Sequence, residues 1–305
     1  MSDDNSIVAV VVTYNRVEQL KACIEAIRAQ DGAECDILVV NNGSTDGTSD
    51  YLRGLEEPGL RWVDVGENTG SAGGFYRGVK EAYEAGYSRI WVMDDDVVPD
   101  PIALKRLCDA DSFLEGKWGF LSSLARWKDG SPCKANIQKT GVFSFVNERD
   151  RELGLVPVKI AAMASLYINA DAVKSVGYPI ADYVIYSDDY EYTSRISDKY
   201  DCYFVPSSRV LHNTAVNMKV DFARDSSDRI WRYRYLYRND VHLYRRFGIK
   251  GWAYLVAKAG FTTANILLRS KSGRSDKLKT LYSSLIEGVT YRPHVEMAAN
   301  DKSCR

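Results

Sequence analysis

Ile7-Val8-Ala9-Val10-Val11-Val12, followed at once by Thr13-Tyr14-Asn15-Arg16, is the stretch on which the fold turns. A strand with one wet face alternates polar and apolar residues, whereas an unbroken β-branched run suits a strand buried on both faces of a parallel sheet. Working outward, Val17, Leu20, Ile24 and Ile27 fall on one face of a helix. Ile37 to Val40 reads as a second buried strand, Leu60 to Val65 as a third, and Arg89 to Met93 as a fourth, preceded by a helical stretch from Phe75 to Ala85. Strands alternating with helices predict a doubly wound, mostly parallel α/β sheet with right-handed crossovers. Ligands of such sheets sit at the carboxyl ends of the strands.

Polar segments follow those strands, so they converge on one edge. The first is Thr13 to Arg16, the second Asn41-Asn42-Gly43-Ser44-Thr45-Asp46-Gly47. Short Asn, Ser and Asp side chains can cap the next helix or bind a base or ribose, and both readings stand for Thr13, Tyr14, Asn15, Asn42, Ser44 and Asp46. Arg16 is expected to be free to face phosphate. No GxGxxG follows the first strand and no GxxxxGK[ST] occurs, which disfavours dinucleotide and P-loop enzymes. The segment Asn68 to Gly78 places Gly73 and Gly74 at a helix start, where bare backbone permits close approach to a ligand or merely a tight loop. Arg77, one turn on, is a candidate for phosphate or a sugar hydroxyl.

The strongest chemical signal is Asp94-Asp95-Asp96, directly after the fourth strand. Three successive carboxylates repel unless cations offset them. Asp94 and Asp96, at alternate positions, suit a ribose and a divalent cation, Mn2+ or Mg2+, that bridges to substrate phosphates. A solvated acidic turn before Pro99 is the bland alternative. The pair Asp188-Asp189 is likewise either a proton acceptor or the acidic first turn of a helix through Tyr192 to Ile196.

Taken together, the VVVTYNR opening, the NNGSTDGT loop, the DxD at Asp94 to Asp96 and Ser187-Asp188-Asp189-Tyr190-Glu191-Tyr192 resemble the inverting glycosyltransferases of family 2, from Ile7 to about His212. The resemblance implies a GT-A fold and a divalent-metal-dependent inverting transfer. It implies donor contacts from Thr13, Tyr14, Asn15, Arg16, Asn42, Ser44, Asp46, Asn68, Gly73, Gly74, Arg77, Asp94 and Asp95, and metal ligation by Asp94, Asp96 and His212. The family pattern gives the base to Asp189, with Asp188 beside it and Glu191 positioning the acceptor. Asn68 to Gly78, with Met93 to Val97, looks most like bacterial galactofuranosyltransferases, which implies UDP-galactofuranose as donor and a lipid-linked saccharide as acceptor. Rhamnosyltransferases using dTDP-rhamnose share this frame. Asn42 stands where many members carry an acid that contacts the base, which leaves uridine and thymidine donors both open.

Aromatic residues between these motifs are read as acceptor-facing for Trp127 and as core for Trp118. His242 and His294 have no assigned role. The 305 residues carry a net charge of −1, which gives no global argument for nucleic acid, and no recognition motif points to it as a partner. Between Trp231 and Lys279, however, twelve Lys/Arg meet two acids, Asp240 and Asp276. Tyr233, Leu236, Tyr237 and Val241 follow helical spacing there. The expected organisation is a catalytic domain over 1–220, a mobile polar linker from Asp221 to Asp228, and a basic helical region over 229–305 that lies on an anionic membrane surface or is a solvated appendage. No signal-like N-terminus, CxxC pair or run of about 18 apolar residues occurs, so the expected place is cytoplasmic, peripheral on the inner face of the membrane. Two other classes of reading are a sugar nucleotidyltransferase, which has little use for a base such as Asp189, and a catalytically silent glycan-binding subunit.

Overall fold

The computed structural model describes residues 6–55, 57–141, 143–147, 154–218, 221–225 and 227–299. Strands β1 (Ile7–Thr13), β2 (Asp36–Asn41), β3 (Leu60–Asp64) and β4 (Arg89–Asp94) alternate with helices α1 (Val17–Arg28), α2 (Thr48–Arg53) and α3 (Gly70–Glu84). There follow β5 (Val97–Pro99), α4 (Ala103–Phe113), β6 (Phe120–Arg126), the short strands β7 (Lys139–Gly141), β8 (Ser144–Phe145) and β9 (Val156–Pro157), and β10 (Leu166–Asn169). The rest is α5 (Ala170–Val176), α6 (Asp188–Ser197), the long strand β11 (Tyr203–His212), and three helices, α7 (Ile230–Arg245), α8 (Gly248–Arg269) and α9 (Arg274–Thr290).

The main sheet runs β3-β2-β1-β4-β10-β6-β11-β5, with β9 against β11. β1 to β4 are mutually parallel, as are β6 and β11; β10 is antiparallel to both its neighbours and β5 to β11. β1 is buried on both faces, as its unbroken apolar run requires. Val8, Val10 and Val12 pack with Phe75 and Val79 of α3, and Ala9 and Val11 with Leu20 and Ile24 of α1 and Leu107 of α4. The chain leaves β1 toward β2 on one side and later returns to β4 on the other. The loops after β1 and β4 therefore part at a topological switch point, where a crevice opens.

Two expectations about the C-terminal third change. The segment from Asp221 is docked: Phe222 and Ala223 are buried with Tyr233, Tyr237, Ile266 and Leu281, and Asp225 accepts the Tyr233 hydroxyl at 2.9 Å. Aromatic burial outweighs the segment's polar composition. Nor are the basic residues one solvated face. Lys258 bonds buried Asp240 at 2.6 Å, Lys277 bonds the Ala223 and Asp225 carbonyls at 2.9 Å, and Arg238 bonds the Asp182 carbonyl at 2.6 Å. Among the described residues, no helix is long and apolar enough to cross a membrane.

Candidate active site

The loops at the switch point are tied by their own polar side chains. Asn15 takes a left-handed backbone, φ 54°, and its Oδ1 accepts the Thr45 amide at 2.6 Å. Ser44 Oγ accepts the Asn15 amide at 3.0 Å, and Asp46 accepts the Val17 and Thr48 amides. Asn42 is buried, donating to the Gly70 carbonyl and accepting from the Thr69 hydroxyl at 2.8 Å, while Asn68 Oδ1 accepts the Gly70 amide. For Asn15, Asn42, Ser44, Asp46 and Asn68 the structure thus shows contacts that tie the loops to one another at the carboxyl edge of the sheet. Tyr14 is exposed.

Five residues expected at the donor, Gly73, Gly74, Arg77, Asp95 and Arg16, have close partners within the chain. A Cβ on Gly73 would come within 2.3 Å of Thr69 Oγ1, and one on Gly74 within 2.4 Å of Val12 Cγ1. These glycines serve the packing of α3 on its own first turn and on β1. Arg77 ion-pairs with Glu81 at 2.7 Å along the outside of α3. Asp95 turns inward, accepting from Thr13 Oγ1 at 2.8 Å and from Arg16 at 3.2 Å, so it clamps the β1 loop to the end of β4. Arg16 also bonds Asp96 at 2.9 Å, and so is not free to face phosphate: it is one of the cations that the acidic run needs.

The other is His212, at the end of β11. Asp94, Asp96 and His212 each offer a ligand atom, and these atoms lie within 4.8 Å of one another. His212 Nδ1 meets Asn136 Oδ1 at 2.7 Å, which fixes the ring, and Nε2 lies 3.0 Å from Asp96 Oδ1. Apart from that contact the oxygen is buried without a partner. Two carboxylates, one of them with a buried oxygen that meets only His212, and one imidazole fit a divalent cation such as Mn2+ or Mg2+. Burial pushes the Asp94 carboxyl up to about 7 and Asp95 up to about 6. Burial acts in the same sense on Asp96, but contact with His212 holds it below its ordinary value. For His212, burial disfavours the charge, yet Asp96 outweighs it and lifts the imidazole to about 10.

Beside this cluster is a cavity of about 490 Å3 into which Asp94, Asp188 and Asp189 all open. Asp188 and Asp189 begin α6, and Asp189 Oδ1 accepts the Tyr190 amide at 2.8 Å. Burial, with its neighbour's charge, raises Asp188 to about 8; burial raises Asp189 to about 7, opposed by the Tyr190 amide and Lys139. Lys139 is buried with its ammonium 4.3 Å from the Tyr190 ring centroid.

The loop that delivers the acid pair is strained. Val184, Tyr186 and Ser187 have φ of 62°, 68° and 63°, a region costly for non-glycine residues. Asn239 of α7, fully buried, holds it by donating to the carbonyls of Tyr183 (2.9 Å), Ile185 (3.2 Å) and Tyr186 (2.9 Å). Asp240 accepts the Ser187 hydroxyl at 3.0 Å and Lys258 on its other oxygen. On the opposite side a Cβ on Gly70 would lie 2.0 Å from the Val184 carbonyl, so only glycine lets α3 start against this loop. Sequence reasoning missed Asn239, Asp240 and Lys258, as well as Phe145, Tyr244 and Tyr254 of the cavity wall. The one available signal was Asp240, one of two acids among twelve bases.

The two expected acceptor contacts lie outside that wall. Glu191 is buried in an ion pair with Arg195 at 3.0 Å, which in turn holds the Tyr178 carbonyl, so its carboxylate is committed to packing α6. Trp127 donates to the Thr214 carbonyl at 3.0 Å, bracing the chain just after His212. Trp118 is core, stacked on Tyr167 with Nε1 on Asp111. His242 is bound to the Tyr183 hydroxyl at 2.6 Å, and burial lowers it to about 4.

Residues 8–112 match the family described as Glycosyl transferase family 2. An undecaprenyl-phosphate mannosyltransferase of Micrococcus luteus is 31% identical over 106 residues, 34% of this chain and 43% of that protein. Galactofuranosyltransferase GlfT1 of Mycolicibacterium smegmatis is 32% identical over 99 residues, 32% of each. The chain thus spans less than half the length of these curated relatives. In fold, 93% of the chain superposes on 55% of GalNAc-T7, crystallised with UDP, GalNAc and Mn2+, with a TM-score of 0.65 at 12% identity. From the switch-point loops, the acids at the end of β4 and these matches together, the chain carries a glycosyl transferase family 2 domain over residues 8–112, set in a GT-A fold.

Proposed function

We propose that the protein is an inverting, metal-dependent glycosyltransferase that moves galactofuranose from UDP-galactofuranose onto a lipid-linked saccharide of a cell-surface polysaccharide, at the cytoplasmic face of the membrane. The observation that carries the reading is that Asp94, of the Asp94-Asp96-His212 cluster, and the Asp188-Asp189 pair open into one cavity. Asp94, Asp96 and His212 would hold Mn2+ or Mg2+, which would supply charge to offset a departing nucleoside diphosphate. Asp189 takes the proton of the acceptor hydroxyl. The freed oxygen bonds the anomeric carbon from the face opposite the diphosphate, the sugar–phosphate C–O bond breaks with its electron pair going to the diphosphate, and the configuration inverts. A carboxyl raised to about 7 by burial is a competent base near neutrality.

Phe145, Tyr244 and Tyr254 offer aromatic faces to a saccharide, in the role foreseen for Trp127. Similarity to GlfT1 supports galactofuranose, and similarity to the undecaprenyl-phosphate enzyme supports a lipid-linked acceptor. Because α7 and α8 complete the cavity, the catalytic unit takes in the helical region and extends beyond residue 220. The test is a donor panel, UDP-galactofuranose and dTDP-rhamnose among them, with Mn2+ and lipid-linked saccharides, read by mass spectrometry. Addition of one hexose from UDP-galactofuranose is expected. A deoxyhexose from dTDP-rhamnose moves the assignment to a rhamnosyltransferase, and pyrophosphate release from a nucleoside triphosphate moves it to a nucleotidyltransferase.

A further inference from the structure

The outer half of α8 is apolar and open to solvent. Ile249 is 89% exposed, Val256 72%, Phe261 70% and Leu268 81%, with Trp252 and Leu267 about half so, and Ala253, Ala257, Gly260 and Ala264 between them are exposed as well. These positions recur at three- and four-residue steps along about 29 Å of helix. Tyr282 and Ile286 of α9 extend the face, and the Tyr282 hydroxyl lies 2.9 Å from Thr263 of α8. A soluble monomer rarely leaves so long an apolar stripe uncovered. Exposed Lys250 near one end and Arg269, Lys271, Arg274 and Lys279 at the other rim it, with Asp276 the lone exposed acid of α8 and α9 there.

We propose that this face docks on an anionic lipid surface, with α8 lying in the headgroup–acyl boundary and α9 beside it. The charge pattern chooses the occupant. Both ends of the stripe are cationic, so a second copy of the chain seated on it in either direction would set Lys and Arg against Lys and Arg. An anionic headgroup layer instead offsets every one of them while the acyl region receives the stripe. The inner side of the same helix lines the cavity through Tyr254 and Lys258, so docking would set the cavity beside the lipid. The proposal concerns the surface alone and does not depend on the transferase reading, because binding is read without turnover.

The test is co-sedimentation of the full chain with phosphatidylcholine vesicles, with and without phosphatidylglycerol. Binding to the anionic vesicles at low salt, weakened by added salt, is expected. The double variant Val256→Glu with Phe261→Glu should cut the bound fraction at least about ten-fold with unchanged circular dichroism. If that variant misfolds, Lys250→Glu with Arg269→Glu should lose the salt-sensitive share of binding. Wild-type protein left in the supernatant at low salt overturns the proposal. So does variant protein that folds and sediments like wild type, or a wild-type dimer that Phe261→Glu dissociates without any vesicle binding.

Discussion

The sheet edge and the helical layer handle charge in opposite ways. At the end of β4 three successive carboxylates are gathered, and cations reach them from elsewhere in the chain: Arg16 from the β1 loop and His212 from β11. In the helical layer the cations are in excess, yet Lys258, Lys277 and Arg238 point inward to Asp240 and to main-chain carbonyls, and the outward side of α8 is apolar. One region gathers acids and draws two side-chain cations to them; the other commits its cations to holding a strained loop and its neighbours. A local excess of one charge thus leaves an open polar cluster where the partners come from other loops, and an apolar outer surface where the charged ends are turned inward.

If the sheet edge and the acid pair are the chemical half, the largest loss comes from the base. Asp189→Asn keeps the shape and removes proton acceptance, so kcat should fall roughly 100-fold or more with donor affinity nearly intact. Measuring kcat and donor binding together checks it. A base must be unprotonated, and burial sets Asp189 at about 7, so the wild-type rate should rise with pH through that region and the variant should lack the limb. Normal turnover in the variant would move the role to Asp188.

The helical layer is tested next. Asn239→Ala orphans three carbonyls of the loop at 183–186 and should destabilise the fold by about 1–3 kcal/mol. Turnover should also fall, by about 10-fold at a temperature where the variant is fully folded. A variant that loses stability alone would reduce the layer to a structural appendage. Arg234→Ala, on the outer surface, should leave turnover unchanged.

The smallest effect concerns Asp188. Burial raises this carboxyl in the folded chain to about 8, so between about pH 4 and pH 8 the folded state binds more protons than the unfolded one. Its contribution to stability therefore declines as pH rises across that window. Asp188→Asn removes the penalty and should raise Tm of the metal-free protein by roughly 3–6 °C at pH 8, and by less at pH 5. Thermal unfolding at the two pH values checks the sign.

The β1 to β4 half was legible because each strand announces itself locally: an apolar run such as Ile7–Val12 fits little besides a doubly covered strand, and the polar loop after it must then lie at the carboxyl edge. The acid cluster was legible for the same reason. What was not legible depends on direction in space. Nothing local reveals that Asp95 turns to Thr13, that Glu191 turns to Arg195, or that Gly74 is needed by Val12. Asn239 reads as an ordinary helix residue until the carbonyls of Tyr183, Ile185 and Tyr186, more than fifty positions earlier, are brought beneath it.

The most direct measurement is transfer of a labelled sugar from its nucleoside-diphosphate donor to a lipid-linked saccharide, once in Mn2+ and once in excess chelator. Product is expected in Mn2+, with a loss of roughly 100-fold or more in chelator and recovery on adding Mn2+ back. Undiminished transfer in chelator would contradict a metal held by Asp94, Asp96 and His212, and with it the pairing of a metal cluster and a base on one cavity.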